Sequence, residues 1–358
     1  MAIQGAFTLN PNEIFASLAN MIISQEVFAD NLGKHQTLVD KARVDGSLYG
    51  DKKLYYATDV LESHPWGADA EAGNLLALDR PQDPEVQAIT LDVFRQIRLT
   101  VDNYLTKQAW SSEGAFSSFN SVMLGWMRET KRVYDGTLYN VFIGTTETAL
   151  GAQKQTVASK GAATPELEAK LIAEKLANIL VDMGDYSRDY NDYGFLRSYS
   201  EDAIKVIWNS KFVNKIRKVD LPTIFHKEGL VDKFEEEVLP ARYFGTKNTG
   251  KVTTSSNTGQ YHSVIETTYT KSGTEYHVFP GDVIPAGVEI AAGEGYLVDS
   301  DIICKIVLKL PPFMSAFEVG TSFFNPRSLT ENHYLTFGHN TLAALKNYPF
   351  VTLRASAE

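Results

Sequence analysis

The sequence predicts an α+β fold organised around one very long strand and one very long helix, and three observations point to it. First, Ile89–Val101, "ITLDVFRQIRLTV", alternates. Ile89, Leu91, Val93, Ile97, Leu99 and Val101 are apolar with Arg95 breaking the row, while Thr90, Asp92, Gln96, Arg98 and Thr100 are polar with Phe94 against the rule. Period two is the signature of a strand, and at about 3.3 Å per residue this one reaches roughly 43 Å. Second, Phe116, Phe119, Met123, Trp126, Met127, Val133, Tyr134, Leu138, Val141 and Phe142 recur at helical steps. A helix from Ser112 to Phe142 spans roughly 45 Å. Third, the composition turns rich in Gly, Thr and Ser after Leu239, as in "GTKNTGKVTTSSNTGQ", which reads as an inserted β element with flexible turns.

A first helix is expected after Asn10, a good N-cap, with Pro11 at the first helical position and Glu13 closing a capping box. Ile14, Leu18, Ile22 and Phe28 give its stripe, and Asn31-Leu32-Gly33 its stop. Lys52–Val60 is a strand. The stretch Ser63–Pro84, "SHPWGADAEAGNLLALDRPQDP", has no period and three prolines. Two readings stand for these segments. Either Lys52–Val60 and the long strand form a projecting two-stranded arm whose irregular tip is ordered by another molecule, or both lie in one large sheet and the tip is a surface loop. An isolated hairpin is marginal in water, so the apolar row must be covered by something.

The long helix begins at Ser111 or Ser112, and Gly125 and Gly136 allow a bend. Trp126 is expected in the core beneath it, where truncation to alanine would cost about 3–5 kcal/mol. Gly151–Ala163, small and polar, reads as a linker. A second helix starts at Thr164 with Pro165 at its first position, and its stripe is Leu167, Leu171, Ile172, Leu176, Ile179, Leu180 and Met183. Ala203–Trp208 and "IICKIVLKL" are buried strands, "YHSVIETTYT" and "TEYHVF" short ones. "FPGDVIPAGVEI" holds two turns, and the chain closes on a strand, a turn and a strand. No internal repeat is present.

The 358 residues allow two or three domains, and no run of about 18 apolar residues predicts a membrane span. The first residues have no basic and apolar leader pattern, so no secretory signal is expected. The single cysteine, Cys304, excludes an internal disulfide framework and fits a reducing site of synthesis. The net charge of −10, with basic residues scattered apart from Lys211–Val219, argues against phosphate-neutralising nucleic-acid binding.

The search for chemistry is negative. The seven histidines show no metal-ligand spacing. "HKE" at His226–Glu228 lacks the cysteine pair of a zinc deaminase. His333 and His339 read as a polar pair in a surface loop. No phosphate-binding glycine loop and no nucleophile elbow occurs, and "GEGY" at Gly293–Tyr296 is a tight turn before a strand. "DYNDYG" half-resembles a calcium loop, with Asp189, Asn191 and Gly194 in position, but Tyr193 and Ser200 occupy ligand positions and exclude an EF-hand. Glu235–Glu237 reads as a solvated face.

The element order resembles the major capsid proteins of tailed bacteriophages with the Hong Kong 97-type fold. "WMRETKRVYDGTLYNVFIGTTET" (Trp126–Thr148), "KVDLPTIFHKEGL" (Lys218–Leu230), "FPGDVIPAGVEI" (Phe279–Ile290) and "LTFGHNTLAALKNYPFVTL" (Leu335–Leu353) are similar in phrasing to such proteins. The resemblance implies an N-terminal arm over 1–45, an extended loop over 46–105, and a peripheral domain with its spine helix over 106–163 and 313–358. It further implies an α/β axial domain over 164–312 with a β insertion at about 245–280. Trp66, Leu75, Leu76, Leu78, Arg80, Arg95 and Arg98 would serve the subunit contacts of arm and loop. Phe116, Phe119, Met123, Trp126 and Tyr134 would form the core under the spine.

The implied function is self-assembly, through pentamers and hexamers, into an icosahedral head. That head encloses double-stranded DNA without sequence-specific binding and is built in the host bacterial cytoplasm. The resemblance implies no catalytic residue, cofactor or metal and no membrane partner. A portal, and scaffolding or decoration proteins, would be further partners. The alternatives are an encapsulin-like nanocompartment shell, a cytoplasmic hydrolase or lyase using paired carboxylates, and another virion component of the tail or decoration kind.

Overall fold

A computed structural model describes residues 37–45, 52–63, 78, 80–102, 113–216, 235–254 and 260–357. The expected helix after Asn10, the residues Trp66, Leu75 and Leu76, His226–Glu228 and the end of the Lys211–Val219 cluster lie outside these residues. Among the described residues no helix is long and apolar enough to cross a membrane.

The described chain begins with α1 (Leu38–Ala42) and β1 (Arg43–Asp45). Thr37 and Asp40 close a capping box at the start of α1, each side chain serving the other's backbone. β2 (Lys52–Ala57), β3 (Glu85–Asp102) and α2 (Glu113–Thr145) follow. Next come β4 (Lys154–Ala158) and α3 (Pro165–Gly184), the latter capped by the Thr164 hydroxyl accepting from the Leu167 amide. β5 (Lys205–Asn209), α4 (Ser210–Ile216) and β6 (Glu235–Leu239) lead into the β-rich stretch. This contains β7 (Gly245–Lys247), β8 (Val252–Thr253), β9 (Tyr261–Ser263), β10 (Thr267–Lys271), β11 (Thr274–Val278), β12 (Glu289–Ile290) and β13 (Gly295–Val298). The chain closes with β14 (Ile302–Val307), β15 (Phe313–Asn325), β16 (Thr330–Asn340) and β17 (Phe350–Ser356).

Two compact units emerge. The first takes the described residues within Met1–Asp51, Leu91–Gly136 and Phe313–Thr341. Its sheet joins β1, β15, β16 and β3. β16 is antiparallel to β3 from Thr330↔Asp102 to Asn340↔Leu91, and β1 runs parallel to β15 for three pairs. From Val86 to Val101 the odd residues of β3 are half-buried or buried and the even ones exposed, which is what the alternation demands. Helix α2 presents Met127, Lys131, Tyr134 and Asp135 to this sheet, a stripe at four- and three-residue steps. Tyr134 meets Phe337 with ring centroids 5.8 Å apart, and Arg95 stacks over the Tyr134 ring at 5.0 Å.

The second unit takes the described residues within Lys52–Thr90, Thr137–Pro312 and Leu342–Glu358. Its main sheet has the order β4-β17-β14-β5-β6, with β4 parallel to β17, β5 parallel to β6, and β14 antiparallel to both its neighbours. β14 is buried along all six residues, as its unbroken apolar run requires. α3 buries Ile172, Leu176, Ile179, Leu180 and Met183 in a core with Val206, Trp208, Ile303 and Leu353. The short strands of the β-rich stretch close on a separate small core of Tyr261, Tyr269, Val278, Ile284, Val288 and Ile290.

The long strand resolves the two readings of its pairing. Only Glu85–Thr90 pairs with β2, as a six-residue antiparallel ladder, while Leu91–Asp102 pairs with β16. Most of β3 is therefore a member of a larger sheet and not one leg of a free hairpin.

Several expectations need correction. Trp126 is 38% exposed. It precedes Met127 by one residue, which turns it about 100° from the buried stripe, so Trp126→Ala costs less than a buried tryptophan would. Gly151–Ala163 is no plain linker. It holds β4, an edge strand that needs only Val157 on its inner face. His333 and His339 lie in β16, not a surface loop, and His339 is buried. β15 escaped notice because Gly320 and its small polar neighbours give no clear period.

Two glycines of α2 make a paired test. A methyl group on Gly144 would overlap the backbone carbonyl of Tyr243, whereas one on Gly136 meets nothing within 4 Å. Gly144→Ala is expected to destabilise by about 1–3 kcal/mol. Gly136→Ala is expected to be neutral or to stabilise by up to about 1 kcal/mol. Thermal unfolding of the two variants reads both signs.

Candidate functional site

The chemistry a chain can perform depends on reachable polar groups, and the most perturbed ones here are enclosed. Lys305, on β14, is fully buried. Burial first, against the pull of Glu147, depresses its ammonium to about 7. It donates to the Thr146 carbonyl and to the Thr352 hydroxyl, each at 2.9 Å. Beside it Arg354 binds Glu147 and Asp299. Burial works against the ionised Glu147, but the Arg354 hydrogen bond holds its pKa low. Cys304, next in sequence, is buried and its thiol is pushed up by desolvation. A nucleophile or base must reach its substrate. Lys305 and Cys304 are closed off from solvent, and the half-buried Glu147, Asp299 and Arg354 are engaged with one another, so the cluster reads as a structural ion-pair network.

The first unit has its own buried polar group. Lys131 Nζ lies 2.9 Å from Asp135 Oδ2 and 3.2 Å from Ser315 Oγ, and Arg43 Nη2 lies 3.5 Å from the same Asp135 oxygen. Tyr134 Oη and His339 Nε2 are 2.9 Å apart, and His339 Nδ1 is 2.8 Å from the Asn340 carbonyl. Burial raises the Asp135 pKa, with Lys131 opposing, and burial lowers that of His339. This network ties α2 to β1, β15 and β16.

The DYNDYG segment is a self-bonded turn. The buried Asn191 amide donates to the Phe195 carbonyl and accepts from the Phe195 amide, and Gly194 takes φ 69°. Among the described residues no group of three or more His, Cys, Asp or Glu could hold a metal ion.

What remains is surface. The β2–β3 hairpin is fastened on one face. Gln87 donates to the Ala344 carbonyl and accepts from the Lys346 amide, and Lys309 lies over the rings of Tyr55 and Tyr348. Ala57 and Ile89 are buried there. The opposite face carries Leu54, Tyr56, Val86 and Ala88, all exposed, with Tyr56 62% exposed and paired across from Val86. Where the chain leaves β2, Asp59 acts as a clamp. It accepts from Arg188 Nη1 at 2.7 Å and from the Leu196 amide at 2.9 Å, and Arg197 donates to the Thr58 carbonyl. The Arg188 hydrogen bond, then the backbone one, hold the Asp59 carboxyl down at about 2. Beyond it Val60 and Leu61 are exposed.

The residues expected at subunit contacts fall unevenly. Leu78 is 82% exposed and Arg80 is exposed. Arg98 is exposed on the outer face of β3, its Nε bonded to Gln96. Arg95 is instead half-buried against Tyr134. Phe116, Phe119 and Met123 are described only as positions on α2. Sequence reasoning missed the exposed face of Leu54, Tyr56 and Val86. The alternation of apolar residues in "KKLYYATDV" is too short to say which face turns outward.

This mixed helix-and-strand architecture is that of bacteriophage capsid subunits. A chain of the capsid structure of Staphylococcus phage Andhra matches with a TM-score of 0.53 and 11% identity, covering 86% of this chain and 80% of that one. A chain from the structure of the head fibre and inner core protein of bacteriophage P68 matches with a TM-score of 0.59 and 11% identity, covering 87% and 83%. No curated protein matches in sequence. The model of the Phi29-like phage major capsid protein family matches residues 3–353, so the chain belongs to that family. It is a capsid shell protein of the virion, one that assembles in many copies, and the family does not favour the nanocompartment or hydrolase readings.

Two predictions follow from the buried and clamped charges. Unfolded Lys305 titrates near 10.5 and folded Lys305 near 7. Between those values the unfolded chain binds more protons, so this residue makes stability rise with pH. The stability of the parent chain relative to Lys305→Met should therefore increase between pH 6.5 and pH 9 in denaturant titrations, and a flat difference would contradict the burial. Asp59→Asn should accelerate hydrogen exchange of the Leu196 amide and lower the thermal transition at neutral pH, an effect that shrinks as pH falls below the carboxyl range. In the parent chain the clamp is complete above the unfolded carboxyl value of 3.8 and weakens as pH falls towards about 2.

Proposed function

We propose that this protein builds the icosahedral head of a tailed bacteriophage, enclosing its double-stranded DNA, with the Hong Kong 97-type arrangement of parts. In this reading residues 1–45 form an N-terminal arm and 46–105 an extended loop, rooted in the chain's own sheet through Leu91–Asp102, whose far end lies across an adjacent subunit. α2 is the spine of a peripheral domain over 106–163 and 313–358, and 164–312 is the axial domain that meets its copies at the centres of pentamers and hexamers, with the β insertion at about 245–280. A portal, with scaffolding or decoration proteins, would complete the head during assembly in the host cytoplasm. Trp66, Leu75, Leu76, Leu78, Arg80, Arg95 and Arg98 would meet neighbouring subunits.

The single observation that carries the reading is the family match over 3–353. The hairpin supports it. One face is fastened to the chain's own body and the other is an exposed apolar strip, which a monomer gains nothing by presenting. Burying such strips around every subunit yields the large contact area that an obligate assembly needs, roughly 2,000–5,000 Å². The negative charge of −10 suits a wall that must let packaged DNA move.

Deleting Ser63–Pro84 tests the loop. The shortened chain should fold, with an unchanged circular dichroism spectrum, and fail to form closed particles in negative-stain micrographs. Particles at normal yield and stability would remove the loop from the assembly contacts.

A further inference from the structure

Lys305 is enclosed in a way that counts its protons. The side chain is fully buried on β14. Its Nζ has two acceptors, the Thr146 carbonyl and the Thr352 hydroxyl. A neutral amine brings two N–H groups to them, whereas an ammonium brings three. Among the described residues no third acceptor bonds Nζ, and the Phe350 ring lies 5.9 Å away, at the limit of cation–π reach. The enclosure therefore satisfies the neutral amine fully and leaves the ammonium one hydrogen bond short, which is costly where no water enters. The charged neighbours come from every element around it. Glu147 after α2 and Asp299 before β14 favour the ammonium, and Arg354 on β17, bound to both, opposes it. Lys154 on β4 acts on Glu147, and the Cys304 thiol beside Lys305 is held neutral by burial. Burial outweighs the sum, and the amine titrates at about 7 instead of 10.5.

We propose that Lys305 is a proton-operated latch: neutral, it closes the connection that follows α2 onto β14 and β17, and each opening of that connection takes up one proton. Thr146 is the first residue past α2, and its amide donates back to the Phe142 carbonyl at 3.0 Å. When the connection lifts, Nζ loses the Thr146 carbonyl, meets water and titrates as an ordinary lysine. Between the two titration values the open form then binds one proton more than the closed form. The opening equilibrium falls about tenfold for each unit that pH rises in that range. Below 7 the closed form holds the proton as well, and the dependence ends. The end of α2 is thus loosest on the acid side of neutrality and tightens as pH rises. The latch lies within one compact unit and stands whether or not the shell reading does.

Hydrogen exchange of the Thr146 amide in the full-length protein tests the latch. Exchange from a locally open form is proportional to the opening equilibrium and to the hydroxide concentration. Above pH 7.5 the two dependences cancel, so the Thr146 rate should stay level up to pH 9. Amides of the β10–β11 hairpin, whose ladder does not involve Lys305, should climb with hydroxide throughout. Below pH 6.5 the Thr146 rate should climb as well. Lys305→Met should restore the climb at Thr146 above pH 7.5. Glu147→Gln removes a charge that favours the ammonium and should extend the level range to lower pH. Three results would overturn the latch: a Thr146 rate that follows hydroxide at every pH in the parent chain, a level rate that survives Lys305→Met, or a Thr146 amide that exchanges only together with the buried strand β14.

Discussion

The structure depends on a constraint of hydrogen bonding along a single strand. β3 is eighteen residues long, and its backbone groups need partners over that whole length. On one side β2 serves its first six residues, and on the other side β16 serves the rest. Because side chains alternate, the same pairing decides the fate of every residue on it. The odd row is covered and the even row faces out, so Arg95 lies on Tyr134 while Phe94 and Arg98 look outward. A slip of one residue would exchange the two rows, and the alternation in the sequence is what forbids it.

The polar interior obeys the same economy of partners. Lys131, Asp135 and Arg43 cluster where α2 crosses its sheet, and Lys305, Glu147, Asp299 and Arg354 cluster beside β14. Groups that would mark an active site if open to solvent instead serve to position elements. The family to which it belongs assembles in many identical copies.

How far the sequence disclosed this depended on whether a residue's environment was local. α3 was legible to its cap because Thr164 and Pro165 act within one turn. β14 was legible because six consecutive buried residues must be apolar. The length of α2 was legible, but the placement of Trp126 was not, since the buried stripe is set by contacts with β16 and β3 far away in sequence. The exposed face of the β2–β3 hairpin was hidden for a related reason. Tyr55 and Tyr56 are neighbours of one chemical type, and only the position of Lys309 and Gln87 shows which is held and which is free. β4, an edge strand, and β15, flanked by β1 over only three pairs, need little apolar pattern and gave little.

The central claim is that the chain leaves apolar strand surface uncovered as a monomer and completes it only among copies of itself. Analytical ultracentrifugation of the purified full-length protein tests this most directly. The account predicts a discrete megadalton boundary, with little material at the mass of one subunit. A single sharp boundary at one subunit's mass, persisting at high protein concentration, would contradict it.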